Sequence, residues 1–232
     1  MVRRTRARVA ALLAALAASP SAVAQVPPGP AEVTAYTGLH AAAARGDAAE
    51  IARLAAAGAD PNARDAHGRT PLHVAAFLAR HEAMRALVSA GADPRALEAD
   101  RYDTATIAAV RDDTQTLRLA LALGADPGAI TSRYDGTALI AAAHLGHVEA
   151  VRVLAAAGAP LDRVNNLGWT ALMEAVVLGD GGPRHVETVR VLVQAGADVN
   201  LPDRQGATPL AHARRRGYDA VASVLAAAGA RE

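Results

Sequence analysis

The sequence predicts an all-α protein built as a solenoid of about six helix-turn-helix repeats. Six Gly-Ala pairs form a periodic series that begins at Gly58, and the successive glycines of this series are separated by 33, 33, 34, 38 and 33 residues. Self-similarity at a fixed period of this size is typical of repeat proteins, whose units bury their apolar faces against neighbouring units. Hydrophobic residues make up 52% of the chain and aromatic residues only 3%. The core must therefore consist of small aliphatic side chains, which suit closely packed helices.

A complete repeat unit lies between residues 62 and 94. Its polar turn, Asp65 to Gly68, is followed by Thr70-Pro71. A threonine hydroxyl can accept a backbone N–H at the start of a helix, and proline is tolerated at the first helical position. The second helix of the unit has apolar residues at the i, i+3, i+4 spacing of a buried stripe, at Met84, Leu87 and Val88. Gly91 can then supply the left-handed residue that ends this helix.

The 33-residue period, headed by Thr-Pro-Leu-His at residues 70–73, resembles the ankyrin repeat family. The resemblance covers roughly residues 35–230 and implies an ankyrin repeat domain over residues 35–232. The repeat boundaries fall near residues 37–66, 67–99, 100–133, 134–166, 167–204 and 205–232. The first and last repeats are expected to act partly as caps.

The third and fifth repeats depart most from this pattern. In the third repeat, Arg101 stands where the second has Gly68, and Asp103 stands where the second has Thr70. We expect this repeat to be a weak point of the stack, because the turn glycine and the capping threonine are both replaced. The fifth repeat has an insertion at residues 180–184, between its two helices. This insertion is either a tolerated surface loop or a second contact site.

Residues 1–24 read as a secretory signal peptide, with four arginines, a short apolar run and an Ala-Val-Ala cleavage site. The alternative is an Ala-rich helix that caps the repeat stack. Residues 25–34 read as a proline-rich spacer, of which residues 25–32 are expected to stay extended. These features predict a bacterial periplasmic or secreted protein, exported by the general or the twin-arginine route. The absence of cysteine is compatible with an oxidising compartment.

The charge of the chain argues against several partners. The net charge is +1, and removing the four arginines of residues 1–24 leaves −3. A slightly acidic protein has no general attraction for nucleic acid or an anionic membrane. We therefore expect no nucleic-acid binding and no membrane insertion after the signal is removed. We expect the protein to be a monomer that binds another protein.

The ankyrin resemblance implies a concave binding face, formed by the projecting turns and the inner helices. Variable residues of this face lie just before the Thr position and just after the paired alanines. The partner-binding candidates at these places are Arg69, Phe77, Tyr102, Arg111, Tyr134, His144 and Trp169. Aromatic and arginine side chains dominate binding hot spots. The alternative is that Phe77 and Trp169 only pack over adjacent turns.

The sequence contains no Gly-x-Ser-x-Gly, P-loop or His-Glu-x-x-His motif, and without cysteine it has no thiol chemistry. His40 and His73 occupy the histidine position of the motif, where the family uses the imidazole to bond neighbouring backbone. His144 and His147 are three residues apart, but two histidines are a weak signal for a metal site. We therefore expect a non-enzymatic binding protein without a cofactor or metal. The alternatives are a secreted effector that binds host proteins and a protein that binds a small ligand or metal.

Overall fold

The structure, a computed structural model, describes residues 25–232, so the predicted signal peptide lies outside the described residues. Thirteen α-helices and no strand occur in this part of the chain, which confirms the all-α class. The helices are α1 (Pro30–Ala35), α2 (Gly38–Arg45), α3 (Ala48–Ala56), α4 (Pro71–Phe77), α5 (His81–Ser89), α6 (Thr104–Val110), α7 (Thr114–Ala122), α8 (Ala138–Leu145), α9 (Val148–Ala156), α10 (Ala171–Val177), α11 (Pro183–Ala195), α12 (Pro209–Arg216) and α13 (Asp219–Ala227).

Helices α2 to α13 form six consecutive helix-turn-helix pairs, one for each expected repeat. The first helices of the pairs contact one another in chain order and form an inner row, and the second helices form an outer row in the same way. Inner helices are seven or eight residues long, and outer helices are nine, except for the 13 residues of α11. Paired alanines such as Ala75–Ala76 and Ala108–Ala109 are at most 1% exposed between inner helices. Small side chains at these positions let the inner helices approach closely.

The inner helices begin with the side-chain cap that the sequence predicts. The hydroxyl oxygens of four threonines accept the backbone N–H three residues later, at Thr70, Thr137, Thr170 and Thr208. In the third repeat, Asp103 Oδ1 accepts the N–H of Thr106 at 2.7 Å. Replacement of the capping threonine by Asp103 therefore leaves α6 with a side-chain cap, because a carboxylate oxygen accepts this hydrogen bond as well as a hydroxyl does.

Arg101 does occupy a backbone position that suits glycine. Its φ angle is +67°, close to the +70° of Gly68 at the equivalent place in the second repeat. A residue with a Cβ atom is strained in this left-handed region. The structure thus retains one of the two reasons for expecting the third repeat to be weak.

The segment before the first repeat is more ordered than the sequence suggested. Residues 30–35 form the short helix α1, which corrects the expectation that the proline-rich stretch stays extended through residue 32. Pro30 lies in the first turn, where its missing N–H would have no helical partner. The side chain of Glu32 reaches back and accepts the N–H of Gly29 at 2.8 Å, which caps the helix.

The turns that precede the inner helices project as β-hairpin-like loops and are joined side by side. Backbone N–H groups of one turn donate to carbonyl oxygens of the preceding turn, from Ala99 to His67 at 3.0 Å, from Ser132 to Arg101 at 3.0 Å and from Asn166 to Tyr134 at 2.9 Å. The turns of repeats two to five therefore form one continuous row beside the inner helices.

The insertion in the fifth repeat is packed against its neighbours. Tyr218 of the last repeat donates its hydroxyl to the carbonyl of Gly179 at 3.0 Å, and Arg184 Nε donates to the carbonyl of Gly146 at 3.2 Å. Gly181 has a φ angle of +71°, and a Cβ atom there would lie 2.4 Å from the ring of Tyr218. The insertion thus connects the fourth, fifth and sixth repeats. Within residues 25–232, none of the helices has the length and apolarity to cross a bilayer.

Candidate binding pocket on the inner-helix face

The inner-helix face is the surface formed by the inner helices and the row of projecting turns. A pocket of about 410 Å³ opens on this face across repeats three to five, and we call it the central pocket. Its apolar lining comes from inner helices α6, α8 and α10, at Val110, Ile140, Val177 and Leu178. Its polar lining includes Ser132 and Tyr134 from a turn, His144 and Glu174 from helices α8 and α10, and Arg216 at the end of α12.

A chain of three polar side chains lies at this pocket. Glu174 is only 4% exposed, and Asn165 Nδ2 donates to its Oε1 at 2.8 Å. His144 Nδ1 donates to the other carboxylate oxygen, Oε2, at 3.1 Å. Because a carboxylate can only accept, this contact assigns a proton to Nδ1 of His144. The ring of His144 is thus held from behind by Glu174, which is held in turn by Asn165.

The positions equivalent to Asn165 and Glu174 hold Asp203 and His212 before and in helix α12, and there the acid and its partner have changed places. There the acid, Asp203, is in the turn and the histidine, His212, is on the helix, with 2.7 Å between Oδ2 and Nε2. Burial alone would raise the pKa of Asp203, but hydrogen bonds from the backbone of Ala207 and from His212 lower it overall. Burial lowers the pKa of His212 despite the neighbouring carboxylate. This pair joins a turn to the inner helix that follows it, whereas Glu174 also contacts His144 on the preceding inner helix.

The turn of the fifth repeat does not need Glu174. Asn165 Oδ1 accepts the backbone N–H groups of Leu167 and Trp169, each at 3.0 Å. Asp203 Oδ1 accepts the two equivalent N–H groups of its own turn, each at 2.9 Å. Asn165 therefore bonds the backbone of the turn through Oδ1, and its Nδ2 group donates to Glu174 on helix α10.

Arg216 brings a positive charge to the same pocket. Its guanidinium lies over the ring of Tyr218, 5.7 Å from the centroid, and donates to the Tyr218 hydroxyl at 3.4 Å. Within residues 25–232, Arg216 forms no ion pair, whereas Arg214 pairs with Glu232. The cation is thus held by an aromatic ring and a neutral oxygen, which leaves its charge without a carboxylate.

Arg69 is not the exposed candidate that the sequence suggested, since its side chain is only 1% exposed. Its Nε donates to Asp65 Oδ2 at 2.7 Å, and its Nη2 donates to Glu32 Oε1 at 2.5 Å. Tyr36 also donates its hydroxyl to Asp65 Oδ2 at 2.7 Å. The segment that contains α1 covers this arginine, and sequence reasoning missed the contact because it treated that segment as a spacer.

The expected exposure of Phe77 and Tyr102 is likewise corrected. Phe77 is 3% exposed and belongs to the hydrophobic core, which agrees with the packing alternative for that residue. Tyr102 is 8% exposed and lines one side of the central pocket. Phe77 is the last residue of α4, and Tyr102 lies in the turn just before α6.

The other candidates lie nearer the surface. Arg111 is exposed at the end of α6, and Tyr134, His144 and Trp169 are half-buried. The structure brings Tyr134 and His144 together at the central pocket, but Arg111 and Trp169 are not among its lining residues.

Sequence reasoning missed three groups at the pocket, namely Asn165, Glu174 and Arg216. A signal for Glu174 was present, because the equivalent positions of repeats two to four hold Val74, Ile107 and Ala141.

The remaining histidines of interest make backbone contacts. His40 Nε2 donates to the carbonyl of Arg69 at 3.0 Å, and His73 Nε2 donates to that of Ala96 at 3.0 Å, as the family position implies. His147 Nδ1 donates to the carbonyl of Ala109 at 2.9 Å, away from the carboxylate that His144 contacts. In the part of the chain that the structure describes, no cluster of three or more His, Asp or Glu side chains could hold a metal ion.

The fold defines a repeat protein in which stacked helix pairs carry a row of projecting turns. A sequence model of ankyrin repeats, in three copies, matches residues 11–97 and 105–203. The chain belongs to the ankyrin repeat family. Ankyrin repeats are protein–protein interaction modules and typical non-enzymatic scaffolds, so the general class of this protein is that of a binding module.

Known proteins agree with this assignment. An ankyrin repeat domain of Acinetobacter baumannii AYE is 44% identical, with a TM-score of 0.77 over 83% of this chain and 98% of that one. The ankyrin repeat domain of Bcl-3, a member of the IkappaB family, is 31% identical, with a TM-score of 0.75 over 84% of this chain and 87% of that one. The ankyrin repeat protein YahD of Escherichia coli (strain K12) is 36% identical over 86 residues, which are 37% of this chain and 43% of that protein.

Proposed function

We propose that this protein is a periplasmic scaffold that binds another protein on the inner-helix face of repeats three to six. The periplasmic location is supported by the export pattern of residues 1–24. The binding role is supported by the family and by the shape of this face, where projecting turns and inner helices border the central pocket.

The first half of the inner-helix face is occupied by the protein itself. The segment that contains α1 contacts the turn of the second repeat through Glu32 and Tyr36, and it covers Arg69. A partner that displaced this segment would leave the buried guanidinium of Arg69 without Glu32, which is costly. The second half of the face carries the open pocket, so we assign the binding surface to that half.

The observation that carries the proposal is the set of part-exposed side chains beside the pocket. Tyr134 and His144 line its edge, and Trp169 and Arg111 lie on the flanking turn and helix end. Tyr, Trp and Arg are the residue types that most often dominate the energy of protein interfaces. The half-buried state of Tyr134, His144 and Trp169 restricts these side chains before a partner arrives, which lowers the entropic cost of binding.

A crosslinking pull-down from periplasmic extract of the source organism tests this surface. The baits are the wild type, Tyr134→Ala, Trp169→Ala and Arg111→Ala, each checked for an unchanged helical circular-dichroism spectrum. We expect one prey protein to be retained by the wild type and reduced at least tenfold by the variants.

The matched control for Arg111→Ala is Arg118→Ala. It removes another exposed arginine of the third repeat, on the outer helix α7. This variant should retain the prey like the wild type. If Arg118→Ala loses as much prey as the variants on the inner-helix face, or if those three variants capture as much prey as the wild type, the binding surface does not lie on the inner-helix face.

Fractionation of cells that express the full chain tests the location. We expect the processed protein in the periplasmic fraction. Accumulation in the culture medium would favour the alternative of a secreted effector that acts on host proteins.

A further inference from the structure

We propose that Gln25 is the N-terminal residue of the mature protein and that it is converted to pyroglutamate, the lactam of an N-terminal glutamine. This modification rests on the removal of residues 1–24, which belongs to the proposed function. It is a covalent change of the chain itself, and it does not depend on the identity of the protein partner.

The sequence places a glutamine directly after the predicted cleavage site. Residues 22–24 are Ala-Val-Ala, so cleavage after Ala24 gives Gln25 a free α-amine. The nitrogen of the neutral amine attacks the side-chain carbonyl carbon, Cδ, of the same residue. The bond between this nitrogen and Cδ forms, the bond between Cδ and Nε2 breaks, and one proton of the amine leaves with the amide nitrogen as ammonia. Both reacting groups belong to one residue, so ring closure is an intramolecular reaction.

Gln25 is buried although its amide group has nothing to bond. The residue is only 9% exposed, and its Nε2 and Oε1 atoms have no hydrogen-bond partner within residues 25–232. Val26, the apolar residue beside it, is 50% exposed. Buried polar groups are normally hydrogen-bonded, because a buried amide without a partner is costly. The surroundings of residue 25 therefore suit a less polar group than an open glutamine.

Ring closure removes most of the polar hydrogens of this residue. An open N-terminal glutamine carries a charged ammonium group and a side-chain amide with two N–H donors. The lactam carries no charge, and it keeps a single N–H group and the carbonyl oxygen Oε1. A buried charge costs more than a buried neutral group, so the loss of the ammonium also favours the lactam at this position.

Contacts of the following residues hold this end of the chain against the repeats. The carbonyl oxygen of Val26 accepts a hydrogen bond from Nη1 of the buried Arg69 at 3.2 Å, and Glu32 accepts one from Nη2 of the same side chain. Pro28 is buried as well. These contacts use neither the α-amine nor the side-chain amide of Gln25, so they are compatible with the lactam. The lactam therefore forms the end of the segment that covers Arg69.

The composition of the chain makes the modification easy to detect. All 24 basic residues are arginine, so the chain contains no lysine. The α-amine is then the sole primary amine of a mature chain, and ring closure removes it. The mature protein should therefore not react with an amine-specific reagent.

Mass spectrometry of the protein purified from the periplasm of the source organism tests the modification. We expect a chain that begins at residue 25 and is lighter than the open form by one molecule of ammonia, with the loss on residue 25 in the fragment spectrum. A chain that begins at an open Gln25, or at another residue, would overturn the modification but leave the periplasmic location intact. A chain that keeps residues 1–24 would overturn the modification together with the predicted processing.

Two matched variants test ring closure with an N-hydroxysuccinimide ester as the amine-specific reagent. Gln25→Asn keeps an amide at the N-terminus, but its ring would have only four members, so it should stay open and take up one label. Gln115→Asn makes the same exchange at an exposed residue of helix α7, and it should stay unlabelled like the wild type. A wild type that takes up the label, or a Gln25→Asn protein that does not, would contradict ring closure at residue 25.

Hydrogen–deuterium exchange tests the link between the lactam and burial. In Gln25→Asn we expect the backbone amides of residues 29–36 to exchange several-fold faster than in the wild type, because an open and charged residue is costly to bury beside the segment that covers Arg69. Gln115→Asn should exchange in this segment like the wild type. Equal rates in Gln25→Asn and the wild type would overturn the role of burial in favouring the lactam.

Discussion

Glu174 accepts a hydrogen bond from His144 across the boundary between the fourth and fifth repeats, with 3.1 Å between Oε2 and Nδ1. The acid is 5% exposed and the histidine 25% exposed at the side chain. In a solenoid, contacts between adjacent repeats contribute the interface part of the stability. A polar contact at the edge of the central pocket therefore also connects two units of the stack.

The first prediction concerns the energy of this contact. A double-mutant cycle with His144→Ala and Glu174→Gln should give a coupling free energy of about 1 kcal/mol in urea unfolding, as is usual for residues in direct contact. The pair Glu149 and Arg152 is exposed on the outer helix α9 and serves as a control with less coupling. Additive effects of His144→Ala and Glu174→Gln would show that the contact contributes nothing to stability.

The second prediction concerns Asp103, which caps α6 but is only 1% exposed. Its Oδ2 has no hydrogen-bond partner within residues 25–232, and burial raises the pKa of its carboxyl above the ordinary value. Asp103→Thr keeps a cap of the kind seen in four other repeats and removes the buried oxygen. We expect it to raise the free energy of unfolding at pH 7 by about 1–2 kcal/mol.

The pH dependence of the same variant follows from the direction of the shift. Because the pKa of Asp103 is higher in the folded protein, its favourable contribution is complete below the unfolded value of about 3.9 and is lost as the pH rises through the folded value. The gain in free energy of unfolding from Asp103→Thr should therefore increase by about 1 kcal/mol as the pH rises from 3.5 to 7. An advantage that is constant over this range, measured by urea unfolding, would contradict the role of the buried charge.

The third prediction concerns the left-handed residue Arg101. Arg101→Gly should raise the free energy of unfolding by about 1 kcal/mol, because glycine adopts this φ angle without strain. The exposed ion pair with Asp135 that this change removes is worth little. The reverse change at the equivalent position, Gly68→Ala, should lower stability, since its Cβ would lie 3.1 Å from the backbone nitrogen of Ala99. Thermal unfolding that places both variants on the same side of the wild type would refute the strain argument.

The fourth prediction separates packing from binding at Phe77. Phe77→Ala should lower the free energy of unfolding by about 3–5 kcal/mol, because it leaves a cavity in the core. Tyr134→Ala, at a half-buried ring beside the pocket, should reduce prey capture and lower stability less. Chemical unfolding and the pull-down on both variants check this division. A Phe77→Ala protein of normal stability that loses the prey would restore Phe77 to the binding surface.

The fifth prediction concerns acid unfolding. Burial lowers the pKa of His73 to about 4, although hydrogen bonds to the carbonyls of Tyr102 and Ala96 oppose the shift. The unfolded chain takes up this proton near pH 6.5, so the stability from neutral His73 is present above about pH 6.5 and is lost as the pH falls through about 4. This loss amounts to about 3 kcal/mol for a shift of this size.

His73→Gln tests this assignment because it removes the titrating group. The variant should be less stable at pH 7, and its stability should fall less between pH 7 and pH 4 than that of the wild type. His40→Gln, at a less buried histidine with a similar backbone contact, is the control. An unchanged pH dependence in His73→Gln would assign the acid sensitivity to other groups.

The sequence by itself determined the class of the fold and the starts of the inner helices. These features depend on local chemistry that repeats along the chain, such as the threonine hydroxyl at Thr70 and the Gly-Ala pair that begins at Gly91. The number of helix pairs followed from the period alone. The histidine contacts of His40 and His73 followed from the motif position and the family resemblance.

Only the tertiary structure decided which side chains are exposed. The same position before an inner helix is buried at Arg69, where α1 covers it, and half-buried at Trp169, where nothing comparable in residues 25–232 lies over it. Glu174 and Arg216 line one pocket although 41 other residues separate them in the chain. Repeat position predicts the backbone because turn and cap chemistry is local, whereas burial and charge pairing depend on residues that the stacking of different repeats brings together.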